Sequence, residues 1–401
     1  MSLLYKLSNE KIYKLGYFLI LINAIGAFTS IALTSLSMIL GILILFILKF
    51  KNKEEKIFTI EQKYILKILK VFLISLFVSV LFSSNIEKSI NEYIHFVSSF
   101  ISLLIGMIFI RNKNQYFNWL IVVSISVVFS DIFSVFQLIN GDQATGFVHN
   151  RINFGNQCVS AIYLFLIFLI NNKINCPQVF KCYFSILTLL TLVILTYSQV
   201  RGAWIAFIGT LIVYFVINRN YNKKITMIMF SVLTIFILSI FSNDALLIRF
   251  QSILNFQTDY NIKDRLDMYQ SAIKMFLDYP IYGIGFGNFR EFYLPGSIYL
   301  MPNALEFRFP EGYPHAHNTF LTFLAETGLL GTIGLVMFFG SILLLFYRRY
   351  KKNNNDFIAL TGFCILTGFI FSSLTDNVYG ESMFIRFSMI SIGICLADIE
   401  E

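Results

Sequence analysis

Charge is scarce in this chain: Asp, Glu, Lys and Arg make up only 13% of it, against 57% hydrophobic residues. A 401-residue chain of that balance cannot stay dissolved in water, so the soluble classes are excluded and lipid is its solvent. The cysteines Cys158, Cys176, Cys182, Cys364 and Cys395 are odd in number and show no CxxC spacing. They exclude a disulfide framework and a cysteine zinc site. No internal repeat or low-complexity tract is present. No clean small-residue cleavage site follows the first apolar run, near Tyr13 to Thr29, so that run is expected to be a retained helix and not a leader. Proline is rare too, and five of the six (Pro280, Pro295, Pro302, Pro310 and Pro314) fall in one stretch.

What is present is a succession of long apolar runs. About 20 apolar residues in a helix cross a bilayer's hydrocarbon core, and backbone satisfaction in lipid then demands helices. The runs place helices near 13–30, 32–48, 65–83, 93–110, 116–137, 154–170, 183–199, 202–217, 225–241, 319–346, 357–374 and 380–397. The expected fold is all-α: a polytopic membrane protein with about 12 transmembrane helices and one large, partly helical loop. Residues 1–241 would hold spans one to nine, 242–318 the loop, and 319–401 the last three. The formal net charge of +8 is distributed as a membrane topology and not as a nucleic-acid surface, so no nucleic-acid partner is expected. With both termini inside, Lys49, Lys51, Arg111, Lys113, Lys173, Lys223, Arg348 and Arg349 fall in inner loops. Only Lys88, Arg151 and Arg201 fall in short outer ones. This positive-inside bias sets the orientation.

The 242–318 segment is the one long stretch outside the apolar runs, and such a loop is more often functional than idle. Within it, DRLDMYQSAIKMFLDYP spaces Leu266, Tyr269, Ile273 and Phe276 at a helical period ending at Pro280. That pattern predicts an amphipathic helix on the membrane surface or over a cavity. Arg201 stands at a tight hairpin between two apolar runs, Arg151 lies in the outer sequence GFVHNRINFGNQ, and Arg265 opens the loop helix. Arg201 alone also fits snorkelling to lipid phosphate. Together the arginines suit a diphosphate, whose oxygens the guanidinium fork meets two at a time.

His317 lies just before Asn318 or Thr319, one of which is expected to cap the next helix. A histidine titrating near neutral pH is a natural general base. His315 and His317 are two apart, not the three or four that align on a helix, and no HExxH pattern accompanies them, so no metal site is expected. The glycines of YGIGFGN follow Pro280 without a preceding strand and read as a tight turn, not a nucleotide loop. Asp131 and Glu326 fall within apolar runs, where carboxylates are functional candidates. Either could pair with an arginine instead, as could Asp376 in a short outer loop.

On these residues the chain resembles the O-antigen ligase and polymerase superfamily: SQVRGAWIAF and PHAHNTFLTFLAETGLLG look like its two signature segments. Between them, RLDMYQSAIKMFLDYPIYGIGFGNF is similar to the segment these proteins carry in their large periplasmic loop. The resemblance is strong from about Phe147 to Leu335. It implies a glycosyltransferase of the Gram-negative inner membrane, with its active site facing the periplasm. Such an enzyme takes a glycan from undecaprenyl diphosphate and, in the ligases, joins it to a sugar of the lipid A core. It also implies Arg201 and Arg265 as diphosphate ligands and His317 as base, with Arg151 carried by a less specific pattern. A lipid diphosphate is already a good leaving group, so no cofactor and no metal are expected. The reaction would be an inverting displacement, since no carboxylate pair is placed for a covalent intermediate.

Three other functions compete. A polymerase of the same superfamily uses the same donor but usually has two sizeable outer loops, whereas the loop near Leu138 to Asn153 is short. A protein O-oligosaccharyltransferase tends to be longer. A transporter of lipid-linked oligosaccharide would want midplane polar residues and pseudo-symmetric halves, and the sequence displays neither.

Overall fold

The computed structural model describes residues 8–51, 58–170, 177–218, 223–253, 260–294, 296–300, 313–353, 356–380 and 382–399. Among these residues the chain is helical and holds no strand. The helices are α1 (Asn9–Gly26), α2 (Ile31–Lys51), α3 (Ile60–Leu81), α4 (Ile86–Phe109), α5 (Lys113–Ile139), α6 (Arg151–Ile170), α7 (Gln178–Tyr197) and α8 (Arg201–Ile217). They continue with α9 (Lys223–Phe241), α10 (Asp244–Gln251), α11 (Tyr260–Asp278), α12 (Phe289–Phe292), α13 (Thr319–Lys352), α14 (Phe357–Thr375) and α15 (Ser382–Leu396).

All twelve apolar runs are helices. Eight of them are long and apolar enough to cross a membrane, and α9 joined to α10 across a 106° bend makes nine. Of the remaining three, α8 and α15 are apolar but shorter, and α1 carries Glu10, Lys11 and Lys14 in its first turns. This is a multi-pass membrane protein, with α6 at its centre: 89% of the apolar window of α6 is buried, against 33% for the peripheral α2.

Helix ends follow from local chemistry. Thr59 and Gln62 form a reciprocal capping box at α3, and Asn85, Asn112 and Asn243 each accept a backbone N–H at the start of a helix. Such caps satisfy donors that a helix leaves orphaned. The cap expected before α13 is Asn318, whose Oδ1 accepts Leu321 N at 3.0 Å.

Helix α13 is broken at Gly328 (φ 60°, ψ −158°), and the loop is stitched into the break. Leu329 and Leu330 donate to the carbonyls of Pro280 and Ile281, while Ile284 and Gly285 donate to those of Ala325 and Glu326. Gly283, Gly285 and Gly287 all have positive φ, a conformation that costs a residue with a Cβ. A Cβ on Gly283 would also sit 2.3 Å from the Glu326 carbonyl carbon. The YGIGFGN stretch is thus a set of tight turns, and those turns clamp the loop to the membrane helix. The Glu326 carboxylate completes the clamp by accepting Phe289 N at 2.9 Å.

The loop has a core of its own. Met268, Ala272 and Met275 of α11 pack with Ile284, Phe289, Tyr293 and Tyr299. Leu266, Ile273 and Leu277 remain exposed on the other side of α11. The spacing seen in the sequence therefore includes outward residues, while the buried stripe runs one or two positions away.

Candidate active site

Three helices enter the same end of the bundle in the same way. Among the described residues, His149, Gln199 and His317 are the non-glycine residues with positive φ (55°, 57° and 48°). Each stands two residues before a helix: α6, α8 and α13 begin at Arg151, Arg201 and Thr319. Left-handed backbone at residues with a Cβ is costly and is kept where the surroundings impose it. Here the turn delivers Arg151 and Arg201 at the first position of their helices. Helix N-termini carry partial positive charge and open N–H donors, which favour an anion.

These residues line a small cavity of about 50 Å³ with Asn156, Gln199, Gly202, Arg249, Arg265, Thr375 and Asp376. Four guanidiniums therefore face one space. Arg151 donates to Gln143 Oε1 at 3.3 Å, Arg201 to Ser252 Oγ at 3.0 Å, and Arg249 to the Gln199 carbonyl at 3.2 Å. Arg265 reaches in from α11, donating to the Thr375 carbonyl at 2.6 Å and standing 3.7 Å from the Asp376 carboxylate. The glycine of RGAW has a packing reason: a Cβ on Gly202 would lie 2.4 Å from Thr375 Oγ1, so the Thr375 side chain of α14 would have to shift.

His317 adjoins this cavity through Asp376. Its Nδ1 lies 2.9 Å from Asp376 Oδ1, and the Asp376 side chain is only 7% exposed. Burial raises the Asp376 carboxyl, but the hydrogen bond and charge of His317 and the guanidinium of Arg265 outweigh it, holding the group below the ordinary carboxylate range. An ionised carboxylate can only accept. When neutral, the imidazole must therefore carry its proton on Nδ1 and present the lone pair of Nε2. The Asp376 carbonyl also accepts the backbone N–H and hydroxyl of Thr319, which ties the end of α14 to the start of α13.

His315 packs edge-on to His317 with ring centroids 4.7 Å apart, and its Nδ1 accepts the His317 backbone N–H at 3.3 Å. Burial and then the neighbouring His317 push His315 down to about 4. The ligand atoms of His315, His317 and Asp376 all fall within 4.8 Å of one another, so the three could hold a metal ion, a closeness that their sequence spacing did not suggest. Against that stand Arg265, a fixed cation beside the same carboxylate, and the donors already engaging His315 Nδ1 and Asp376.

Arg151, Arg201 and Arg265 share the cavity as the sequence suggested, and His317 is one residue removed through Asp376. Arg249 was missed. Its signal is faint: an arginine in LLIRF just past an apolar run, brought back over the bundle by the 106° bend between α9 and α10. Asp376 was only one of three candidate carboxylates. Asp131 is fully buried and accepts the Thr191 hydroxyl at 2.6 Å, and Glu326 serves the loop clamp.

The structure is thus a helical multi-pass membrane protein that gathers four arginines and an acid-oriented histidine at one end of its bundle, an arrangement suited to an anionic group. The family comparison is more specific. Residues 186–336 match the family model described as O-Antigen ligase, and in that segment the chain is similar to that family. The segment contains Arg201, Arg249, Arg265 and His317 and leaves out Arg151 and Asp376. No curated protein matches the chain.

Proposed function

We propose that the protein is an O-antigen ligase, transferring a glycan from undecaprenyl diphosphate to a sugar of the lipid A core at the periplasmic face of the inner membrane. The observation that carries this reading is the junction of the four-arginine cavity with the His317–Asp376 pair. Arg151, Arg201, Arg249 and Arg265 bind the diphosphate and take up the charge that grows on it as the anomeric C–O bond breaks. The cavity of about 50 Å³ has room for a few waters, so the phosphoryl oxygens enter it while the sugar stays at its mouth.

His317 Nε2 takes the proton from the acceptor hydroxyl as its oxygen attacks the anomeric carbon from the opposite face. Undecaprenyl diphosphate departs with the bonding pair, and the configuration inverts. Asp376 stabilises the imidazolium that forms and never gives up its own charge. This route needs no metal, so a chelator should leave turnover unchanged.

The test is lipopolysaccharide analysis in a deletion strain complemented with wild type, Arg201→Ala or His317→Ala. Ligation predicts full-length lipid-linked chains and bare core in both variants. Core carrying a single repeat unit would instead identify a polymerase, the second reading that the same family match supports. Unchanged lipopolysaccharide would remove the site assignment.

A further inference from the structure

A second cavity, of about 360 Å³, lies at the opposite end of the bundle. Helix directions place it there: it is lined from the starts of α1 and α3 (Tyr13, Ile60 and Lys63) and from the ends of α4 and α15 (Ile110, Arg111 and Asp398). The arginine cavity is lined instead from the starts of α6 and α8 and the end of α14. Helix α15 joins the two ends, starting just after Asp376 and finishing just before Asp398.

The lining of this second cavity has an amphiphile's order. Ile108 and Ile110 form a buried apolar wall, while Ile60, at the first position of α3, is 87% exposed. An isoleucine so exposed at the end of a membrane helix is suited to acyl chains and not to water. Above the wall stand two cations and one carboxylate, Lys63, Arg111 and Asp398. The Arg111 guanidinium is held 4.4 Å over the Tyr13 ring, an arrangement that fixes a cation without consuming its charge. Two cations fit the single phosphate of a phosphodiester. A carboxylate in the same cavity repels that phosphate unless the ligand also carries an ammonium.

We propose that this cavity is a binding site for an aminophospholipid headgroup, with the phosphate on Arg111 and Lys63 and the primary ammonium on Asp398. Basic pockets between membrane helices hold lipid headgroups by this chemistry, and the volume lies in the range of small-molecule sites. The carboxylate makes the site selective for a zwitterionic over a purely anionic lipid. This inference is independent of the glycosyl-transfer reading.

The full chain, purified in detergent, is offered phosphatidylethanolamine, phosphatidylglycerol or inorganic phosphate. Native mass spectrometry then counts the retained lipid. The expected result is at least tenfold preferential retention of phosphatidylethanolamine, with inorganic phosphate giving no thermal shift. Lys63→Ala, at an exposed position, should lose the lipid at least tenfold, and Arg111→Lys should fall in between, since lysine keeps the charge but not the fork. Asp398→Asn should reverse the preference towards phosphatidylglycerol. Equal retention of the two lipids by wild type, undiminished binding in Lys63→Ala, or a shift reproduced by inorganic phosphate would each overturn the assignment.

Discussion

Asp376→Asn tests how the site is assembled, because it removes a charge while sparing the shape around it. The main-chain contacts of residue 376 survive the change: its carbonyl accepts from Thr319 and its N–H donates to Ser372. The variant should therefore fold. What changes is the partner at 2.9 Å from His317 Nδ1 and the counter-charge 3.7 Å from Arg265. Hydrogen bonds to charged groups contribute about 1.5–3 kcal/mol, and each 1.4 kcal/mol is roughly a factor of ten in rate. Losing the charged partner of the imidazolium should therefore lower kcat by about 10- to 100-fold. It should go further where the amide turns its NH2 towards Nδ1 and selects the wrong tautomer. The assay is transfer from lipid-linked glycan to purified acceptor, with kcat and donor KM separated and the thermal midpoint of each preparation recorded. A variant that folds normally and keeps full kcat, or that changes KM alone, would refute the role given to Asp376.

Three other outcomes follow from the same geometry. Arg249→Ala should raise donor KM by about tenfold or more, with Arg249→Lys in between, since lysine keeps the charge but not the fork; an unchanged KM would exclude Arg249 from the diphosphate site. Gly283→Ala should lower the thermal midpoint sharply, because its Cβ meets rigid backbone at 2.3 Å in a positive-φ turn. The exposed Gly296→Ala, with nothing within 4 Å, should fall less, by the positive-φ cost alone. For His315, pushed down to about 4 from an ordinary value near 6.5, the unfolded chain takes up a proton that the folded chain refuses over that interval. Stability should thus decline as pH falls from about 6.5 to about 4, and His315→Gln should flatten the decline measured by thermal midpoint.

The membrane class, the twelve helices and three of the four cavity arginines are legible in the sequence because each rests on a local or periodic signal. Apolar runs of bilayer length announce their own helices, and an arginine between two such runs announces a helix end. The loop helix α11 is legible as a helix, though not which of its faces would be buried, since Leu266 and Met268 are equally apolar and only packing separates them. Arg249 is invisible in the same way: nothing in LLIRF says that its helix turns back through 106°.

By itself, then, the sequence determined the solvent, the helices and most of the candidate side chains, because lipid allows a chain few choices. Tertiary structure alone decided the partnerships. It paired His317 with Asp376, 59 residues away in the chain, and set Arg265 beside the same carboxylate. It clamped the glycine turns of the loop into the break at Gly328. Those contacts join residues far apart in the chain, and no periodicity encodes them. The break at Gly328 exposes backbone groups that the glycine turns of the loop engage, and that closure holds the segment carrying Arg265 and His317 against the bundle.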